Sequence, residues 1–210
     1  MATDIQPTSS QRDGRRQRQK RETYARILSA ARDLFALQGF EPTTIKQIAD
    51  ASDVAAGTVI THFGSKAELL MVLLDDLNER QLNFVHSTLP EGGQVLDRLC
   101  HVFGVYYRFD LEQPSLASAV LSYSWVWPEQ TERRMRAKFA PGDELVRSIL
   151  RTGIDKGEIK PDANLPLAAS MMFALYTRTM RAGIFDHATP DQCLDILRPQ
   201  LSLIVDGLKP

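Results

Sequence analysis

The chain has 210 residues, of which 43% are hydrophobic and 24% charged, and its formal net charge is −1. This length and composition predict a globular protein with one domain of ordinary size and a small one. No segment has the roughly 18 uncharged apolar residues that a membrane span requires, and the leading MATDIQPTSSQRDG has no apolar run typical of a signal peptide. We therefore expect a cytoplasmic protein with no membrane partner.

Positive charge is concentrated at the start of the chain. Residues 1–26 hold seven Lys or Arg against three Asp or Glu, a net charge of +4 that leaves −5 for the remainder. Residues 1–20 are also polar and low in large apolar side chains, so we expect a disordered basic arm there. Such an arm is typical of nucleic-acid binding, although a solvated tail explains the same composition equally well.

The first helical pattern begins near Glu22 and places apolar residues at helical spacing as far as Phe35. Gly39 follows as the residue that ends this helix, because glycine readily adopts the left-handed backbone of a helix C-terminus. Phe40 is placed to fold back on the last turn. We therefore predict a first amphipathic helix that ends at Gly39.

Two capping signals frame the next part of the chain. Thr44 follows Pro42 and is placed to cap a short second helix, and Ser65 with Glu68 forms a capping box that opens a long helix. By propensity the intervening GTVITHF favours a strand, but a lone strand there would have no neighbour to pair with. We therefore predict a third short helix. Its inward face is formed by Val54, Val59 and Phe63.

The second and third helices fit helix-turn-helix geometry. Ala49 lies where the second helix must let the third pack closely, and Asp53 occupies the turn between them. That turn commonly requires a left-handed backbone, which Asp adopts at modest cost. The pattern predicts a three-helix head.

Beyond residues 90–93 the pattern stays helical to the end of the chain, with neither alternating strand patterns nor an internal repeat. Breaks are predicted at Glu112–Pro114, Trp127–Pro128, Pro141–Gly142, Lys160–Pro161 and His187–Pro190. The predicted fold is therefore all-α, with a small helical head and a larger helical body. Cys100 and Cys193 both lie inside apolar helical patterns and are predicted to be core thiols.

The segment TTIKQIADASDVAAGTVITHFGSKAELL resembles the TetR family of transcriptional regulators. The match extends from about Glu22 to Leu77: a first helix ending in Gly-Phe, then Thr-Thr-Ile-x-x-Ile-Ala, Val-x-x-Gly-Thr, His-Phe and Ser-Lys-x-Glu-Leu-Leu. The resemblance implies an N-terminal helix-turn-helix DNA-binding domain, which we place at residues 21–66, and a helical ligand-binding and dimerisation domain at residues 67–210.

The resemblance also implies a homodimer. Each head would place the helix from about Ala55 to His62 in the major groove of a palindromic double-stranded DNA operator. Because this family mostly represses, we expect a repressor that a small-molecule effector releases.

The third helix is the predicted base-reading element. Small residues at its start allow close approach to DNA and leave backbone N–H groups for a phosphate, while Thr58, Thr61 and His62 supply hydrogen-bonding groups for base edges. The predicted DNA-binding residues are Thr44, Lys46, Ala55, Ala56, Gly57, Thr58, Ile60, Thr61, His62 and Lys66.

One position departs from the resemblance. Where this chain has Ile60, the family often has a tyrosine whose hydroxyl typically meets a phosphate; Ile60 can instead pack on a thymine methyl group. For Lys46, Lys66 and the arm, the alternative to a phosphate contact is a solvated surface charge. The arm residues considered for backbone or minor-groove contact are Arg15, Arg16, Arg18 and Lys20.

The last two helices are the predicted dimer surface. Residues 164–185 are apolar on many sides, and a helix of this kind is buried on more than one face. The final helix begins at Thr189 and Pro190, a cap followed by a first-turn proline. The alternative is that both helices simply close the core of the monomer.

Aromatic side chains cluster in the body, where helical neighbours share a face and are predicted to line a pocket for an apolar or aromatic effector. The predicted ligand-lining residues are Phe103, Tyr106, Tyr107, Tyr123, Trp125, Trp127, Met172 and Tyr176. The alternative for each is an ordinary place in the core.

The sequence predicts no catalytic residue, no metal site and no cofactor. Its four histidines are scattered without partners at ligand spacing, and the adjacent Cys100 and His101 point to different faces of their helix. We therefore expect that the protein is not an enzyme. The alternative function is a fold-related interaction protein that regulates through a protein partner without binding an operator.

Overall fold

A computed structural model describes the backbone of residues 9–123 and 128–210 and the side chains of residues 14–122 and 128–210. Within these ranges the chain forms nine α-helices and no strand, so the predicted all-α fold is confirmed. The helices are α1 (Ser9–Gln38), α2 (Ile45–Ala51), α3 (Ala56–Phe63), α4 (Lys66–Thr88), α5 (Val95–Asp110), α6 (Pro114–Tyr123), α7 (Glu129–Asp155), α8 (Leu165–Phe185) and α9 (Pro190–Gly207). The chain divides into two compact units, with the boundary after Leu73.

Local signals set the helix ends in the first unit. Thr44 caps α2 through a capping box with Gln47, whose side-chain oxygen lies 2.9 Å from the Thr44 backbone nitrogen. Asp53, in the turn between α2 and α3, has φ +52°, so the predicted left-handed turn is confirmed. The Phe40 ring lies 5.2 Å from that of Phe35, as expected for a residue that folds back on the end of α1.

The described part of α1 starts earlier than the sequence predicted. Residues 9–20 are helical, whereas we expected a disordered arm over residues 1–20; residues 1–8 lie outside the described part. Arg, Gln and Lys have good helix propensity, and Arg18 pairs with Glu22 one turn later at 2.8 Å. Residues 14–20 are exposed, as their polar composition predicted. The same composition did not indicate that the helix extends back to Ser9.

The second unit is built around α5, which packs on α7 and α9 and meets α8 through aromatic rings such as those of Tyr107 and Tyr176. The start of α5 is fixed by Glu158, whose carboxylate accepts a hydrogen bond from the Val95 backbone nitrogen at 2.9 Å. Cys100 and Cys193 are both free and buried, which confirms the prediction of core thiols, and burial raises the pKa of both.

Helix α7 contradicts one predicted break. Pro141 and Gly142 lie inside a continuous helix of 27 residues. Proline removes one backbone hydrogen bond and glycine weakens helix propensity, but the buried face of α7, which includes Met135 and Ile149, holds the helix together on both sides of the pair. Tertiary packing therefore overrides the local signal. Within the described ranges, no helix is long and apolar enough to cross a membrane.

Candidate nucleic-acid interface and ligand cavity

Helix α3 buries one face and exposes the other. Val59 is fully buried and Phe63 is 7% exposed, as predicted. Ile60, on the opposite side, is 46% exposed. The predicted DNA-contacting residues lie on this outer side: Ala55, Ala56, Gly57, Ile60 and Thr61 are exposed, and Thr58 and His62 are half-buried.

The N-terminus of α3 is open. Its cap position is Ala55, whose side chain has no hydrogen-bonding group, and a Cβ added to Gly57 would meet nothing within 4 Å in the described structure. The Thr58 backbone nitrogen donates to the Ala55 carbonyl oxygen at 2.8 Å, whereas the N–H groups of Ala56 and Gly57 have no acceptor one turn earlier in the helix and carry partial positive charge. This end of α3 therefore offers uncovered donors of the kind that bind phosphate.

Polar side chains follow on the same helix. The Thr61 hydroxyl donates to the Gly57 carbonyl oxygen at 2.7 Å, which leaves its oxygen lone pairs as acceptors. The His62 ring lies edge-on to the Tyr24 ring at 6.3 Å, and the same Tyr24 ring stacks on Phe63 at 4.6 Å. Tyr24 thus places a partly exposed phenol from α1 beside α3. In the sequence, Tyr24 looks like one more residue of the apolar pattern of the first helix.

The two lysines predicted to meet phosphate differ in their surroundings. Lys46, in the first turn of α2 beside exposed Thr44, has an exposed side chain. Lys66 instead donates to the carbonyl oxygens of Phe40 at 2.7 Å and Glu41 at 3.0 Å, and its ammonium lies 4.3 Å from the Phe40 ring centre. Burial lowers the pKa of Lys66. These hydrogen bonds therefore connect the first residue of α4 to the turn after α1.

The second unit contains a cavity of about 590 Å³, within the range of about 300–1,000 Å³ that is usual for small-molecule sites. Its walls come from α4, α5, α6, α7 and α8. Most of the lining is apolar, including Leu77, Val120, Met135 and Phe139. The geometry is that of a site for a mainly apolar molecule.

The structure corrects part of the predicted set of ligand-lining residues. Tyr106 and Tyr176 line the cavity, and burial raises the pKa of both phenols. Phe103, Tyr107 and Met172 do not line it, because they are completely buried in the packed core. Large apolar groups fill cores as readily as they line pockets, so size alone did not separate the two. The side chain of Tyr123, together with Trp125 and Trp127, lies outside the described residues.

A polar cluster that the sequence analysis missed lies on the wall. One oxygen of Asp110, the last residue of α5, accepts a hydrogen bond from the Gln81 amide nitrogen at 2.6 Å, and the other accepts one from the Tyr176 hydroxyl. Burial raises the pKa of Asp110 to about 6, against the effect of these two neutral donors. In the sequence, the indication of this cluster is the acidic residue Asp110 at the end of the aromatic segment FGVYYRFD.

Asn78 lies one helical turn before Gln81 on α4 and also lines the cavity. Its side-chain nitrogen is buried and has no hydrogen-bond partner in the part of the chain that the structure describes. Buried donors of this kind are rare and call for an explanation. Near this cluster the rings of Tyr106, Phe173 and Tyr176 lie 6.1–6.4 Å apart.

Helices α8 and α9 carry large apolar groups on their outer sides. Leu167 is 56% and Met171 47% exposed, one turn apart on α8, and Phe185 at its end is 56% exposed. On α9, Ile196 and Leu203 are spaced two turns apart and are 44% and 77% exposed. These helices bury their other sides, so they do close the core, but they also present apolar surface.

The described residues contain no group of three or more His, Cys, Asp or Glu that could hold a metal ion.

Known proteins are similar to this chain over both units. Residues 27–72 match the family described as bacterial regulatory proteins, tetR family. The fatty acid metabolism regulator protein of Bacillus subtilis (strain 168) is 24% identical over 201 residues, which cover 91% of this chain and 98% of that protein.

Two solved structures are similar along the chain. Bacillus subtilis FadR in complex with stearoyl-CoA has a TM-score of 0.73 at 21% identity, over 88% of this chain and 99% of that one. Thermus thermophilus FadR, a TetR-family transcriptional repressor in complex with lauroyl-CoA, has a TM-score of 0.67 at 26% identity, over 87% and 93% of the two chains. The open helix α3, the match over residues 27–72 and these relatives agree: residues 27–72 form a DNA-binding domain of the tetR family of bacterial regulatory proteins, and the chain is a DNA-binding transcriptional regulator.

Proposed function

We propose that the protein is a homodimeric repressor that binds a palindromic operator through α3 and leaves it when a largely apolar effector fills the cavity of the body. In this proposal residues 21–66 bind DNA and residues 67–210 bind the effector and the second protomer. The observation that carries it is the pairing of an uncovered α3 in one unit with a cavity of about 590 Å³ in the other.

The proposed DNA contacts divide by chemistry. The open N-terminus of α3 and the exposed Lys46 meet phosphates and set the register, while Thr58, Thr61 and Ile60 face base edges. Phosphate contacts release counterions, so affinity should fall steeply with salt. In a dimer the two α3 helices would lie in successive major grooves, about 34 Å apart.

The proposed dimer interface is the outer side of α8 and α9. Leu167, Met171 and Phe185 on α8 and Leu203 on α9 are large apolar groups that a second protomer would cover. Self-association of this surface through a twofold axis is the commonest arrangement of a homodimer. It also gives the two heads the symmetry of a palindrome.

The proposed effector is dominated by an apolar chain or ring system. The two FadR structures hold acyl-CoA molecules, whose long acyl chains are apolar, and the walls of this cavity suit such a chain. The effector releases DNA only to the extent that it binds the released state more tightly than the DNA-bound state. Cavity filling must therefore favour a head spacing different from that of successive major grooves.

A release assay tests this function. The protein is first bound to fluorescent DNA from immediately upstream of its own gene, and apolar ligands, including acyl-CoA thioesters of graded chain length, are then titrated in. Fluorescence anisotropy should fall with at least one ligand, and the same ligand should raise the melting temperature of the free protein. A ligand that stabilises the protein without releasing DNA would contradict the proposed coupling.

A further inference from the structure

The part of the cavity wall formed by Asn78, Gln81, Asp110 and Tyr176, which we call its polar end, has an unusual charge balance. Five charged residues line the wall, and four of them belong to ion pairs: Glu132 with Arg136, Lys138 with Asp75, and Asp143 with Arg147. The fifth, Asp110, has two neutral partners and no ion pair within the described ranges. At this end the wall therefore carries an uncompensated negative charge.

This charge selects among ligand head groups. A free carboxylate or phosphate placed here would face Asp110 between largely apolar walls, where like charges repel more strongly than in bulk water. The carboxylate of Asp110 only accepts hydrogen bonds, and each of its oxygens has a second lone pair beyond the bond it receives from Gln81 or Tyr176. A ligand group at this end must therefore donate.

Asn78 adds the opposite requirement. Its side-chain nitrogen only donates, and it is buried without a partner in the described structure. Asn78 and Gln81 are three residues apart and so share one face of α4, and Gln81 touches Asp110. The terminal torsion of an asparagine side chain is soft, so its amide can turn towards a ligand oxygen. A ligand group at this end should therefore also accept.

We propose that the effector carries an uncharged hydroxyl group at this end of the cavity, whose oxygen accepts from Asn78 and whose proton is donated to Asp110. A ligand carbonyl oxygen would accept a hydrogen bond from Asn78, but it has no proton to donate to Asp110 and its lone pairs would repel that carboxylate. An ammonium would satisfy Asp110 but leave Asn78 without a partner. This inference rests on the proposed function, because it assumes that the cavity is the effector site, and it names the head group that the site selects.

The test uses four probes with the same ten-carbon chain: 1-decanol, decyl methyl ether, decanoate and decylammonium. Displacement of Nile red, an uncharged apolar fluorophore, from the full chain at pH 8 gives a relative Kd for each. We expect 1-decanol to bind most tightly, by about tenfold over decanoate and several-fold over the ether, which accepts but cannot donate. Decylammonium should also bind more weakly than 1-decanol.

Two variants separate the two contributions. Asp110→Asn removes the charge but keeps the shape, so the preference for 1-decanol over decanoate should fall to about twofold or less. Asn78→Leu removes the unpaired donor but keeps similar volume, so it should lower the affinity for 1-decanol several-fold without lowering the melting temperature. Circular dichroism confirms that each variant retains its helices.

Other outcomes overturn the inference in distinct ways. Tightest binding of decylammonium would make Asp110 a cation site, and tightest binding of decanoate would show that the charge on the wall does not select. Equal binding of all four probes together with DNA release would overturn the hydroxyl inference while the proposed function stands. Failure of every probe and of the acyl-CoA series to displace Nile red would overturn both.

Discussion

The Lys66 ammonium lies 2.7 Å from the backbone carbonyl oxygen of Phe40 and 4.3 Å from the centre of the same residue's ring. A lysine that the sequence predicted to meet DNA phosphate is therefore already engaged within its own unit. We therefore expect Lys66 to contribute to the stability of the fold and Lys46 to contribute to DNA binding.

Lys66→Met should destabilise the fold by about 1–3 kcal/mol, because it removes charged hydrogen bonds to two carbonyl oxygens. Lys46→Met, a matched change at an exposed lysine of α2, should leave stability unchanged. It should weaken DNA binding and reduce the slope of log K against log salt by about 1 per protomer. Chemical denaturation and salt-dependent anisotropy measure the two effects. Equal loss of stability in both variants would contradict this division.

Gly57→Ala should raise stability and weaken DNA binding together. Alanine is favoured over glycine in a helix by about 0.5–1 kcal/mol, and the new methyl group meets nothing in the described structure. It would, however, stand between the start of α3 and a phosphate. Gly207→Ala, at the end of α9 and equally unobstructed, is the control and should leave DNA affinity unchanged. Unaltered DNA affinity in Gly57→Ala would argue against close approach of this helix end.

The stability of the body should depend on pH through Asp110. Burial raises the pKa of this group to about 6, above its unfolded value of about 4, so its contribution to stability is present below about pH 4 and is lost as the pH rises through about 6. Asp110→Asn lacks this loss. The difference in unfolding free energy should therefore move in the variant's favour by about 1–3 kcal/mol between pH 4 and pH 8. Urea denaturation at several pH values measures it, and a constant difference would contradict the assignment.

Charges on the outer side of α8 should separate the protomers. The double variant Leu167→Glu, Met171→Glu places two carboxylates where we propose a partner's apolar surface, and it should sediment as a monomer with unchanged helicity. Leu37→Glu changes an equally apolar and 83% exposed residue of α1 and should remain associated like the wild type. Retention of the dimer in the α8 double variant would move the interface elsewhere.

The parts of the fold that were predictable from sequence rest on local chemistry. The Thr44 cap, the Gly39 helix end and the left-handed Asp53 each depend on residues within one or two turns, and all three are confirmed. The early start of α1 and the continuous α7 were missed because helix propagation and burial of a long apolar face outweigh polar composition or a single Pro-Gly pair.

The cavity was less predictable because the polar cluster on its wall comes from three helices. Asn78 and Gln81 lie on α4, Asp110 on α5 and Tyr176 on α8, and only tertiary packing brings them to one wall. In the sequence each looks like an ordinary surface or core residue. The aromatic pattern identified the correct region but could not separate Tyr106, which lines the cavity, from its neighbour Tyr107 in the core.

The central claim is that α3 reads a specific operator. Its most direct test is a fluorescence-anisotropy titration of the full chain against DNA from immediately upstream of its own gene and against the same DNA scrambled, at several salt concentrations. We predict tight binding to the upstream DNA alone, with an affinity that falls steeply as salt rises and is reduced by Gly57→Ala. Equal, weak binding to both sequences, unchanged in that variant, would contradict operator reading by α3 at this site and favour regulation through a protein partner.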